Sequence, residues 1–286
     1  MIDCHLHLQD PRLADFLRGI METVRSLGIR RLVVNGTGPR DWDAVKHLAA
    51  TYPEVLPSFG LHPWKVGTET EGWLADLEDR LLSHPAAGVG EIGLDRWIRG
   101  HDLERQKAVF LAQLELAERL DRSVSIHCLQ AWGSLLEILT EHPPRTGILL
   151  HSYGGPAEMV EDFVALGAWF SISGYFFRPD KAGKLAVFDQ VPHDRLLVET
   201  DAPDMALPHD VQRYFLEADS KISTPSSLNH PANLIVVYEA TAARLGMTRG
   251  ELEDLVSSNF SRWWPALART DQLTATSSAS ESFSIP

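Results

Sequence analysis

Met1-Ile2-Asp3-Cys4-His5-Leu6-His7 opens the chain with a short β-rich run carrying a carboxylate and two imidazoles at alternate positions. Side chains two apart on a strand point the same way, so Asp3, His5 and His7 share one face. Cys4 and Leu6 point to the other, toward a packing layer. A lone His-x-His pair is more often two hydrogen-bonded surface histidines than a chelate. Repetition changes that reading: Glu91 lies in GVGEIG, His127 ends SVSIH, His151 ends GILLH and Asp201 ends LLVETD. Metal-ligand side-chain types thus recur where apolar runs stop.

Eight such runs are expected strands: 2–5, 31–36, 55–61, 88–93, 123–128, 147–152, 168–174 and 196–201. Each precedes an amphipathic stretch. The clearest, 102–120, sets Leu103, Phe110, Leu114 and Ala117 at helical spacing with charges between them. Alternation of this kind suits a doubly wound open sheet as well as a closed barrel. An open sheet gathers its ligands near one topological switch, whereas these residues close strands spread around the whole set. The expected fold is therefore a (β/α)₈ TIM barrel, whose strand ends converge on one mouth.

With 286 residues, 44% of them hydrophobic and 23% charged, the chain has material for one large core. Barrels run to roughly 250 residues as one domain. Residues 1–267 are read as that domain and 268–286, rich in Ser and Thr, as a flexible tail. A longer connection, 203–229, is expected to cover the mouth, with a short helix near 211–218. Gly246 marks a helix end, and Thr248 with Glu251 forms a capping box for a final helix whose end, 260–264, packs on the barrel.

No basic and apolar leader and no run of about 18 apolar residues occurs, so no membrane association is expected. Two cysteines, Cys4 and Cys128, imply a reducing, cytoplasmic setting. A net charge of −13 argues against broad, sequence-blind binding of phosphate backbone.

Imidazole nitrogen mixed with carboxylate oxygen suits Zn²⁺, Mn²⁺ or Fe²⁺, although Mg²⁺ stays open. Six candidate ligands are too many for one tetrahedral ion. Two ions about 3.5 to 4 Å apart, bridged by a carboxylate, use them well. Glu91, opposite the His5/His7 strand, is the bridging candidate. Glu199 shares a face with Asp201, and Asp95 with Glu91, so both are candidates to orient ligands or to be ordinary buried carboxylates. His47, His84, His142, His193 and His209 read as surface residues. Trp42, Trp64, Trp73, Trp97 and Trp132 read as core or rim packing.

From residue 1 to about 264, the chain resembles the TatD family of metal-dependent hydrolases. DCHLH matches its D-x-H-x-H opening, GLHP its G-x-H-P segment and GVGEIGLD its I-G-E-I-G-L-D segment. SIHCLQAW, LLHSYGG, LLVETDAP, NHPAN and SSNFSRWW follow in family order. The resemblance implies that His5, His7 and Asp201 hold one metal, that His127 and His151 hold a second, and that Glu91 bridges. It also makes Asp201 the general base and places His62 at the scissile group.

The chain departs from the pattern at the mouth. Cys128, Leu129 and Gln130 stand where the family usually has Ser-Arg-Glu, and His230 stands where it has Glu. Arg96, Arg99, Arg178, Lys181 and Lys184 could supply other basic groups. The leading expectation is DNase-like phosphodiester cleavage by a two-metal-activated hydroxide. A small ester or amide substrate at the same centre is the alternative, and a non-catalytic binding barrel is third. No obligate protein partner is evident.

Overall fold

The computed structural model describes residues 1–216 and 228–266. Eight parallel strands pair in sequence order: β1 (Ile2–Leu6), β2 (Arg31–Asn35), β3 (Val55–Phe59), β4 (Gly88–Asp95), β5 (Val124–Leu129), β6 (Ile148–Leu150), β7 (Ala168–Ile172) and β8 (Leu196–Val198). Outside them lie α1 (Leu17–Ser26), α2 (Trp42–Thr51), α3 (Trp73–Ser83), α4 (Leu103–Arg119), α5 (Trp132–Glu141), α6 (Val160–Ala165), α7 (Ala182–Leu185), α8 (Leu234–Leu245) and α9 (Arg249–Trp263). This is the expected (β/α)₈ barrel. Its strands are buried on both faces, toward the barrel interior and toward the helices.

The seam between β8 and β1 closes just past the end of β8. Asp201 N donates to His5 O at 3.0 Å, and His7 N donates to Ala202 O at 2.8 Å. Asp3 secures the same seam by accepting from Thr200 N and Thr200 Oγ1. The first acidic residue of the opening motif is therefore a seam clamp. Cys4 and Leu6 are fully buried on the helix side, as period two requires.

At the opposite end of the barrel α9 forms a plug. Its capping box of Thr248 and Glu251 is present. Trp263 and Trp264 are buried, and a Cβ on Gly88 would lie 2.3 Å from the Trp264 ring. The glycine that begins β4 makes room for that indole.

Most strand ends differ by one or two residues from the sequence reading, and three differences are larger. β6 and β8 are three-residue strands, so His151 follows β6 directly and Asp201 lies three residues beyond β8. Backbone turns carry the site residues on from there, and Ser152 and Asp201 adopt φ of 41° and 52°. No helix forms over 211–216. Asn233 Oδ1 accepts from both Arg213 N and Tyr214 N, and so ties this stretch to the start of α8. The rest of that expected helix, and the expected tail at 268–286, lie outside the described residues.

Candidate metal centre

β1 delivers His5 and, one residue past its end, His7 to the mouth, the β3–α3 loop delivers His62, β4 Glu91, β5 His127, the turn after β6 His151, and the turn after β8 Asp201. All of the expected site residues meet. Glu91 is the centre of the arrangement, and its two oxygens face different partners. Oε2 lies 3.3 Å from His5 Nε2 and 3.2 Å from His7 Nε2. Oε1 lies 3.0 Å from His127 Nδ1, 2.9 Å from His151 Nε2 and 3.3 Å from His62 Nε2. Asp201 Oδ1 completes the first half, 3.7 Å from His5 Nε2 and 3.5 Å from His7 Nε2.

The outward nitrogens are held by other groups. Ser125 Oγ lies 2.8 Å from His5 Nδ1, the Asn35 carbonyl 2.8 Å from His7 Nδ1, and Asp95 Oδ2 2.8 Å from His127 Nε2. A ring nitrogen that donates outward leaves the inward nitrogen with its lone pair free for a cation. His151 Nδ1 faces Glu199 Oε1 at 3.5 Å, and Glu199 itself accepts from Ser152 and Ser171. Asp95 therefore backs His127 through a hydrogen bond, and Glu199 lies within ion-pair distance of His151. The triads His5/His7/Asp201 and His62/Glu91/His127 each bring their donor atoms within 4.8 Å of one another.

His62 differs from the others. Its Nδ1 accepts from Trp64 N at 3.1 Å, so in the neutral ring Nε2 carries the proton. Burial pushes this imidazole down to about 4, which keeps it neutral near pH 7. Its inward atom is thus a hydrogen-bond donor. For Glu91, burial opposes ionisation, but His62, His151, His5 and the His127 hydrogen bond outweigh it and hold the carboxyl well below its usual range. Asp201 is lowered in the same way, burial being outweighed first by the His7 hydrogen bond and then by His151 and His5. Two ionised carboxylates among buried imidazoles fit a cation pair.

The remaining histidines sort as expected with two refinements. His47, His142, His193 and His209 are exposed, while His84 is half-buried edge-on to Phe59. His230, which replaces the expected Glu, is buried and accepts from Ala232 N. Burial lowers it to about 4. Two other residues escaped the sequence reading. Gln113 on α4 pairs with both backbone groups of Leu61, beside His62, and Gln106 pairs with both backbone groups of Asp95. Their spacing of seven on an otherwise apolar helix face was the available signal.

A barrel with such a cluster at its mouth defines a metal-dependent hydrolase. The chain belongs to the family described as TatD related DNase, which matches residues 2–265. It is 32% identical over 209 residues to an Escherichia coli K12 protein named uncharacterized metal-dependent hydrolase YjjV, covering 72% of this chain and 80% of that one. It is 30% identical over 235 residues to the 3'-5' ssDNA/RNA exonuclease TatD of Edwardsiella piscicida, with 81% and 89% covered. The crystal structure of YjjV superposes with a TM-score of 0.81 at 28% identity, covering 93% of this chain and 98% of that one.

Proposed function

We propose that the chain hydrolyses phosphodiester bonds of nucleic acid with two divalent cations held on either side of Glu91. One observation carries this reading: the two Glu91 oxygens face separate sets of imidazoles within 2.9–3.3 Å. His5, His7, Asp201 and Oε2 would hold one ion, and His127, His151 and Oε1 the other. The mixed donors suit Zn²⁺, Mn²⁺ or Fe²⁺. When bound, such a pair polarises a phosphoryl oxygen and makes attacking water acidic enough to react at neutral pH.

The protein's own groups complete the reaction. Asp201, kept ionised, accepts the proton of the attacking water. His62, neutral with its proton on Nε2, hydrogen-bonds the scissile group or its leaving oxygen. Asp95 and Glu199 keep His127 and His151 oriented as the charge changes. The nuclease relatives support nucleic acid as the substrate. A small ester is the second reading, favoured by the chain's departures after His127, where Leu129 is exposed. Buried, free Cys4 and Cys128 support a cytoplasmic setting. Among the described residues no helix is long and apolar enough to cross a membrane.

Metal-reconstituted protein should cleave single-stranded DNA at low salt. Asp201→Asn should lower turnover by on the order of 10²–10⁴-fold while most of the metal stays bound. Full activity in that variant refutes the assigned base. Turnover of a chromogenic ester with DNA left untouched puts the ester reading in its place.

A further inference from the structure

The mouth carries aromatic surface that the metal centre does not use. Trp64 is 46% exposed and Trp97 62% exposed, although large indoles are usually mostly buried. Their rings lie 6.4 Å apart and 31° from parallel. Trp64 also meets the His62 ring at 5.2 Å and the His127 ring at 6.3 Å, so it borders the candidate centre and Trp97 extends the aromatic surface outward from it.

Asp95 anchors both residues, Trp64 through its ring and Trp97 through its backbone. Trp64 Nε1 donates to Asp95 Oδ2 at 2.7 Å, and Trp97 N donates to Asp95 Oδ1 at 2.7 Å. Asp95 is fully buried and also binds His127 Nε2. One carboxylate therefore sets the Trp64 ring, the Trp97 backbone and a candidate metal ligand in a common frame. Pre-set aromatic surface of this kind binds without a large ordering cost. The usual role of an exposed tryptophan is rim packing, yet here both rings keep free area beside the centre.

We propose that Trp64 and Trp97 form a stacking platform for an unpaired nucleobase next to the scissile phosphate. This rests on the phosphodiesterase reading and deepens it by naming what holds the substrate. A base inside a duplex has both faces covered, so the platform selects single strands or frayed ends. The chemistry of the rest of the mouth calls for such a contact. With a net charge of −13 and Cys128, Leu129 and Gln130 following His127, the chain has little cationic grip on phosphate there. Arg96 and Arg99, exposed on the same loop as Trp97, are the basic groups nearest to it in sequence. Stacking contributes without regard to base identity, so cleavage should be tolerant of sequence.

The test uses metal-loaded full-length protein and two substrates: an oligothymidylate, and the same oligomer with abasic tetrahydrofuran replacing the two terminal nucleosides at each end. Wild type should show KM higher by roughly ten-fold on the abasic oligomer, with kcat changed much less. In Trp97→Ala that penalty for removing the base should shrink, because half of the platform is lost, and Trp97→Phe should restore most of it. Equal KM for both oligomers in wild type, or an undiminished penalty in Trp97→Ala, overturns the platform while leaving phosphodiester cleavage standing. Wild-type protein that hydrolyses an ester and cuts neither oligomer overturns both readings. Unaltered metal content in Trp97→Ala guards against a folding defect.

Discussion

Glu91 is a carboxylate placed where burial alone would neutralise it, and imidazoles on both of its oxygens keep it charged. Burial opposes charging of His7, His127 and His151, but hydrogen bonds and attraction to Glu91, Asp201, Asp95 and Glu199 outweigh it and raise all three, so bound cations would take the place of protons that the cluster holds without metal. Asp95 acts one step further out. It binds His127 Nε2 and so directs Nδ1 toward Glu91. Asp95→Asn keeps the shape but weakens this charge-assisted bond. The expected outcome is a roughly 10–100-fold loss of affinity for the ion on the His127/His151 side, with the His5/His7/Asp201 side largely intact. Stepwise metal titration followed by calorimetry checks it. Equal weakening of both binding steps would show that Asp95 does not act through His127.

Between the residues and the fold stand β4 and α4. Glu91 and Asp95 both come from β4, and Gly93 within it adopts φ 146° with the space for a Cβ filled by His127 O at 1.9 Å. The close β4–β5 approach that brings His127 to Glu91 therefore needs glycine at that position. From outside, α4 clamps the end of β4 through Gln106 and the β3–α3 loop through Gln113. Gln106→Leu should destabilise the protein by about 1–3 kcal/mol, because Asp95 N and O lose their partner inside the core. Urea unfolding measures it, and an unchanged midpoint would show that the backbone finds other partners. The strands, the shared face of His5 and His7, and the convergence of the candidate ligands on one mouth were legible because period two and recurrence are encoded locally. The glutamine clamps were not, since apolar periodicity gives polar residues on a buried face no weight. Nor could the exposure of Trp64 and Trp97 be read, because loop residues have no period that reveals their surroundings. The short β6 and β8 hid the turns that position His151 and Asp201.

On the scale of the whole molecule, the barrel converts nearly 200 residues of separation, from His5 to Asp201, into contacts of 4 Å or less. Its α9 plug seals the end away from the candidate site, so the indole packing under the barrel and the polar cluster proposed for the chemistry occupy opposite ends. Against a net charge of −13, cations bound at the candidate centre would also supply local positive charge to which a phosphate could be drawn. The most direct test is anomalous diffraction from crystals grown with Mn²⁺. The account predicts two peaks about 3.5 to 4 Å apart, one on each oxygen of Glu91, the first among His5, His7 and Asp201 and the second between His127 and His151. A single peak, or metal seated away from Glu91, would contradict it.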